Sequence, residues 1–232
     1  MCITLFLIPL SGEETHVIPD ILELREQWNQ SAAAEILKLA GVTEAVLRKA
    51  IGAFMIEVII NHGPKARRFC DKDPLSLLWM EYIHEIFPNS KFILLLRDGR
   101  ATVHSIITRQ IPVARFDTTR PEVHYERLVL DSRTEMRKIL QFIDVEWSED
   151  VLHHEKFVEK YVKLSPGEYS SSQVRMPIHR EALSNWFDFY SFDVRSRMHQ
   201  LAPMLAKLGY NPYDNRPNYT DLLYKHSLRD RK

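Results

Sequence analysis

Five consecutive apolar residues, Phe92-Ile93-Leu94-Leu95-Leu96, run straight into Arg97-Asp98-Gly99-Arg100, and this junction constrains the fold more than any other stretch. An apolar run of this length reads as a strand covered on both faces, the kind found inside a parallel sheet flanked by helices. The Asp-Gly pair then turns the chain into a helix that carries Ser105 and Arg109. Such a junction suits an anion, because the helix start offers backbone N–H groups and Arg97 offers a planar, bidentate fork. On spacing alone, a structural ion pair between Arg97 and Asp98 at a sheet edge competes with that reading.

At 232 residues and 45% hydrophobic, the chain can bury one sizeable core but not two. The expected division is an apolar N-terminal stub over residues 1–10, a single domain over 11–210 and a polar C-terminal tail over 211–232 with little regular structure. The 31 basic and 31 acidic residues balance, so total charge gives no reason to expect nucleic acid or an acidic membrane surface as partner. Cys2 and Cys70 make no disulfide framework and lack metal-ligand spacing. The stub has no basic leader and is half the ~20 residues a membrane helix needs. It reads equally as part of a signal, a buried strand or the product of a misplaced start codon.

Apolar spacing predicts helices over residues 18–28, 32–39 and, most strongly, 43–62, where Thr43 is the cap. The stripe of that third helix is Val46, Leu47, Ala50, Ile51, Phe54, Met55, Val58 and Ile59, which reads as core. Pro74 opens a helix to about Phe87, and Pro88-Asn89 turns into the strand. Val123-His124-Tyr125 reads as a second strand. Ser132-x-x-Glu135 reads as a capping box ahead of a helix facing Met136, Ile139, Leu140 and Ile143, and Ser148 as a further cap. A polar loop over residues 163–179 precedes helices near 181–186 and 192–208, the last closed by Gly209. The alternation of helix and strand is that of an α/β fold.

Five motifs, in order, carry a resemblance: Gly12-Glu13-Glu14-Thr15-His16-Val17-Ile18-Pro19, Lys72-Asp73-Pro74, the run from Phe92 to Arg109, His124-Tyr125-Glu126, and Ala202-Pro203-Met204-Leu205-Ala206-Lys207-Leu208-Gly209-Tyr210. Together they resemble the tyrosylprotein sulfotransferases over nearly the whole chain. The resemblance implies a P-loop-like α/β sulfotransferase fold with a parallel sheet flanked by helices, incomplete here at its N-terminal strand. It also implies 3′-phosphoadenosine 5′-phosphosulfate as sulfonate donor and no metal. The implied acceptor is a tyrosine in an acidic protein segment, with Golgi-lumen residence and a homodimer.

By that resemblance Glu14 is the base for the attacking phenol, Lys72 neutralises charge developing between phosphate and sulfonate, and Ser165 supports the same transition state. Arg97, Ser105 and Arg109 hold the 3′-phosphate end of the donor, with Tyr125 and the loop bearing Ser170, Gln173 and Val174 closing over the nucleotide. His16, Val17, Ile18, Pro19 and Asp20 form the acceptor segment, where two arginines usual in the family are His16 and Asp20. Plainer readings stand beside these: Glu14 as an acidic helix start, Lys72 as a solvated loop lysine, Tyr125 as a core tyrosine. His153-His154-Glu155 is no metal site, since neighbouring helical residues diverge by about 100° and no third ligand has a suitable spacing.

The family's Arg-Ser-Gly-Thr-Thr phosphosulfate loop has no counterpart in these 232 residues. Family members also carry on the order of thirty further residues between Asp117 and Tyr125, about a helix and most of a strand. Ser11 stands where a cysteine pairing with that at Cys70 is expected. These losses together read as a truncated gene product. The alternative to an enzyme is therefore a catalytically impaired, binding or dimerising pseudoenzyme.

Overall fold

The structure, a computed structural model of the chain, describes residues 15–62, 68–109, 122–158 and 174–227. Helices α1 (Val17–Gln30), α2 (Ala33–Leu39) and α3 (Glu44–Asn61) come first, followed by a 3-10 segment, Pro74–Trp79, that runs directly into α4 (Met80–Ile86). Thr43 caps α3 as expected, accepting the Val46 N–H at 3.4 Å. Ile18 and Leu22 of α1 pack with Ile51 and Met55 of α3 and Tyr82 and Ile83 of α4. The α3 stripe is narrower than its spacing predicts: Val46, Ala50 and Phe54 are exposed, because the described partners of α3 cover one side only. At Gly52 a Cβ would lie 2.7 Å from Ile86 Cγ2, so a bare backbone is what lets α3 and α4 approach.

The sheet among the described residues has two parallel strands, β1 (Leu94–Leu96) and β2 (Glu122–His124), in the register Leu94–Glu122, Leu95–Val123, Leu96–His124. The predicted five-residue strand is thus three residues long. Phe92 and Ile93 lie before it, half-buried, and full burial is reached only at Leu95 and Leu96. Helix α5 (Gly99–Arg109) follows β1, and α6 (Tyr125–Leu130) follows β2, which is the α/β arrangement the sequence predicts.

Helix α7 (Ser132–Phe142) buries Met136, Ile139 and Leu140 as expected, but its cap is Asp131, which accepts the Thr134 N–H, rather than Ser132. Glu135 is drawn away from a capping box by Arg127, 2.7 Å distant, and Lys138, 3.0 Å distant. Two cations from elsewhere close the far end of α7. Arg68 donates to the carbonyls of Ile143 and Asp144, and Lys91 to that of Phe142.

Toward the C-terminus, the helix expected near residues 181–186 is a 3-10 turn, Arg180–Leu183. The helix expected over 192–208 is three short ones: α8 (Phe192–Ser196), α9 (Met198–Leu201) and α10 (Met204–Lys207). Pro203 enforces the last break, since it donates no hydrogen bond and pushes Ala202 out of helical geometry. Gly209, at φ +86°, closes the series. Beyond Asn211, where little regular structure was expected, the chain forms α11 (Thr220–Ser227) and sends Tyr219 and Leu222 into a core with Ala101, Val129, Trp186 and Tyr210.

Candidate active site

The parallel register ends β1 and β2 at the same level, so the residues that follow them meet at one edge of the sheet. That edge is where open α/β sheets hold ligands. Arg97 and Tyr125 leave the two strands side by side, with the guanidinium carbon 4.7 Å from the centre of the tyrosine ring. One Arg97 nitrogen donates to the Ala182 carbonyl at 2.7 Å, which fixes the fork from a third direction.

Asp98 does not pair with Arg97. Its carboxylate, fully enclosed, is held by Arg100: Oδ1 accepts the Arg100 backbone N–H at 2.9 Å and Nε at 3.0 Å, and Oδ2 accepts Nη2 at 2.7 Å. The predicted structural ion pair therefore exists with a different partner. Arg97 lies instead at the strand ends, over Tyr125 and against the Ala182 carbonyl. Behind the turn, Glu126 accepts the Asp98 N–H at 2.8 Å and the Tyr210 hydroxyl at 2.8 Å. Burial first, and the Asp98 charge second, push the Tyr219 phenol well above its ordinary range. Burial likewise raises the Glu126 carboxyl.

On α5, Ala101, Ser105 and Arg109 share one face at four-residue spacing. Burial, then the nearby positive charge of Arg97, lowers the Arg109 guanidinium below its ordinary value. His104 is lowered by burial and then by both arginines. Tyr125 is raised by burial, against the pull of the same two cations. The four side chains thus share one electrostatic environment, in which the positive charge of Arg97 bears on Arg109, His104 and Tyr125. Ser105, 4% exposed, has a hydroxyl with no partner among the described residues. An enclosed, unsatisfied hydroxyl on the face of α5 that carries Arg109 fits the phosphate end of a nucleotide donor. Tyr125 offers that ligand a ring as well as a hydroxyl.

A second group joins the acceptor segment to the lysine loop. His16 sits at φ 57°, a conformation rare outside glycine, and is held there by Asp73. Asp73 Oδ2 accepts the His16 backbone N–H at 3.1 Å and lies 3.1 Å from His16 Nδ1. Its other oxygen accepts the Leu75 N–H at 3.0 Å, capping the 3-10 segment. Lys72, half-exposed, precedes Asp73 directly and is thereby tied to the start of α1. Of the predicted acceptor residues, His16, Val17 and Asp20 are exposed, whereas Ile18 and Pro19 are buried. Those two anchor the segment instead of facing outward, because α1 needs an apolar side against α3.

Glu14, Ser165, Ser170 and Gln173 lie outside the described residues; Val174 is half-buried, its backbone beside His154. His104, which Arg97 and Arg109 influence, had no local signal, since it neighbours Ser105 on a helix where adjacent residues diverge by about 100°. The roles of Arg100, Tyr210 and Tyr219 had no local signal, since their partners are 84–121 positions away or, for Arg100, hidden by the turn geometry.

The model of the sulfotransferase family matches residues 7–121. The chain is 43% identical to a protein-tyrosine sulfotransferase of Drosophila melanogaster, over 90% of this chain and 48% of that protein. It is 42% identical to protein-tyrosine sulfotransferase 1 of Danio rerio, over 90% of this chain and 67% of the relative. It is 34% identical to a putative protein-tyrosine sulfotransferase of Caenorhabditis briggsae, over 90% and 82%. The chain spans about half the length of the fruit-fly relative and two thirds of the zebrafish one. The fruit-fly alignment runs over 238 positions, more than the 232 residues present here, so that relative carries chain with no counterpart. With motifs, fold and identity over nine tenths of its length in agreement, the chain belongs to the protein-tyrosine sulfotransferase family.

Proposed function

We propose that this chain binds 3′-phosphoadenosine 5′-phosphosulfate and transfers its sulfonate to tyrosine hydroxyls in acidic protein segments. The observation that supports the reading is the unsatisfied, enclosed hydroxyl of Ser105 on the helix that also carries Arg109, following the strand end where Arg97 lies over Tyr125. When bound, the donor supplies the sulfonate and leaves as 3′-phosphoadenosine 5′-phosphate. Arg97 and Arg109 neutralise the 3′-phosphate, Ser105 donates to it, and Tyr125 lies against the nucleotide. Lys72 and Ser165 bear on the charge that develops at the bridging oxygen, and Glu14 takes the phenol proton. Val174, with Ser170 and Gln173, closes over the donor. His16, Val17 and Asp20 face the acceptor, held in place by Asp73, while Ile18 and Pro19 anchor that segment. Golgi-lumen residence and a homodimer belong to the same proposal, and the family association supports them.

A second reading is a nucleotide-binding pseudoenzyme, favoured by one observation: the acceptor segment carries His16 and Asp20 where the resemblance expects arginines. Two fewer cations weaken the attraction for an acidic acceptor while leaving the 3′-phosphate grip intact. Calorimetric titration of the purified chain with 3′-phosphoadenosine 5′-phosphate, with Arg97→Ala as control, tests the site common to both readings. Saturable binding abolished in the variant supports it, and equal behaviour of the two proteins overturns it. Labelled sulfonate transfer to an acidic tyrosine peptide then separates enzyme from pseudoenzyme.

A further inference from the structure

We propose that Tyr219 is a positioning residue for the phosphate-binding turn, acting through Asp98; this rests on reading Arg97, Ser105 and Arg109 as a phosphate site. Asp98 stands between the two halves of that site. Its N–H is held by Glu126, and its carbonyl accepts both the N–H of Thr102, at 2.9 Å, and its hydroxyl, at 3.1 Å, which starts α5. Any rotation of Asp98 therefore moves Arg97 on one side and the helix bearing Ser105 and Arg109 on the other.

A carboxylate has about four acceptor positions, and Arg100 occupies three of those on Asp98. The fourth is filled by the Tyr219 hydroxyl, which donates to Oδ2 at 2.8 Å. The direction of that proton is fixed by its neighbour. Trp186 Nε1, a donor only, gives its hydrogen to the Tyr219 oxygen at 3.1 Å, so the phenol's single proton goes to Asp98. The Arg100 guanidinium lies 4.5 Å above the Trp186 ring, and its Nη1 donates to the Asp214 carbonyl at 2.5 Å. The segment beyond Asn211 thus grips both members of the Asp98–Arg100 pair.

The electrostatic demand is plain. Asp98 and Glu126 are two enclosed carboxylates directly behind a turn that must hold an anion, and an undamped charge there opposes phosphate. The Tyr219 proton adds to the Arg100 countercharge on Asp98 and helps to fix the carboxylate plane. Without it, Asp98 loses its fourth donor, the carboxylate plane is held by Arg100 alone, and more of its charge reaches the phosphate site.

The test is 3′-phosphoadenosine 5′-phosphate binding by wild type, Arg97→Ala and Tyr219→Phe, each shown folded by circular dichroism at the titration temperature. The expected result for Tyr219→Phe is a dissociation constant about five- to tenfold weaker than wild type in a fully folded protein. A lowered melting temperature with an unchanged dissociation constant would mean a merely structural hydroxyl and would overturn the proposal. Should Tyr219→Phe fail to fold, the wild-type protein carries the test. The indole N–H resonance of Trp186, assigned among four by Trp186→Phe, must shift with nucleotide along the calorimetric curve, and a stationary resonance overturns the coupling. Wild type that does not bind overturns the phosphate-site reading itself, an outcome distinct from normal wild-type binding with an unaffected Tyr219→Phe.

Discussion

The guanidinium of Arg97 lies over the ring of Tyr125, 4.7 Å from its centre, although 27 residues separate the two in the chain. The cause is the register that ends β1 and β2 level with one another, so that the first residue after each strand meets the first after the other. The ring face stabilises the cation and keeps the fork from folding away.

Replacing Tyr125 by Phe keeps that face and should change the affinity for 3′-phosphoadenosine 5′-phosphate by no more than about threefold. Tyr125→Ala removes it and should weaken binding by about five- to thirtyfold, from a cation–π contribution of ~1–2 kcal/mol in a partly desolvated site. Calorimetric titration of the two variants measures the contrast, and equal losses in both would show that the hydroxyl matters instead.

Ser105→Ala should act with opposite signs on stability and on binding. Its hydroxyl is enclosed and has no partner among the described residues, so its removal should leave the free protein as stable as wild type or up to ~1 kcal/mol more stable. A charge-assisted bond to phosphate is lost at the same time, weakening the nucleotide by about ten- to hundredfold. Thermal denaturation with and without nucleotide reads both effects, and a destabilised free variant would contradict the geometry.

His104 should make binding pH-dependent. Burial, then Arg97 and Arg109, hold its pKa below the ordinary 6.5 in the free protein. A bound anion offsets the two positive charges, the pKa rises and a proton is taken up on binding. Affinity should therefore increase as pH falls through the region of 6.5 and level off below the lowered free value. Stability of the free protein moves the other way, being complete above 6.5 and diminishing as pH falls through it. Nucleotide phosphate titrates nearby, so the measurement is the difference between wild type and His104→Asn across pH 5–8, a range set by the ordinary titration of histidine. Parallel profiles would remove His104 from the site.

Asp73→Ala should cost about 2–4 kcal/mol in urea denaturation, since the enclosed carboxylate accepts from His16 N–H and Leu75 N–H and both lose their partner. Asp73→Asn keeps an acceptor and should recover about half of that loss. If the clasp also orders the acceptor segment, Asp73→Ala weakens acceptor-peptide binding while nucleotide affinity stays within about twofold, because the phosphate contacts lie on a different element.

The sequence by itself determined the elements whose causes are local. Thr43 as a cap, the helical segment that starts at Pro74, the apolar run of β1 and the Asp-Gly turn after it depend on neighbours within a few residues, and all appear in place, with β1 shortened to Leu94–Leu96 and the Pro74 segment opening as a 3-10 turn. Motif order along the chain was enough for the family and for Arg97, Ser105 and Arg109 as candidates. Tertiary structure alone decided which partner Asp98 takes, that Ile18 and Pro19 turn inward, and that the stretch beyond Asn211 is structural support instead of a tail. The reason is physical: a buried carboxylate must be satisfied by whichever donors packing delivers, and Tyr219 reaches Asp98 across 121 positions of chain. Hydrophobic periodicity carries no record of such a contact.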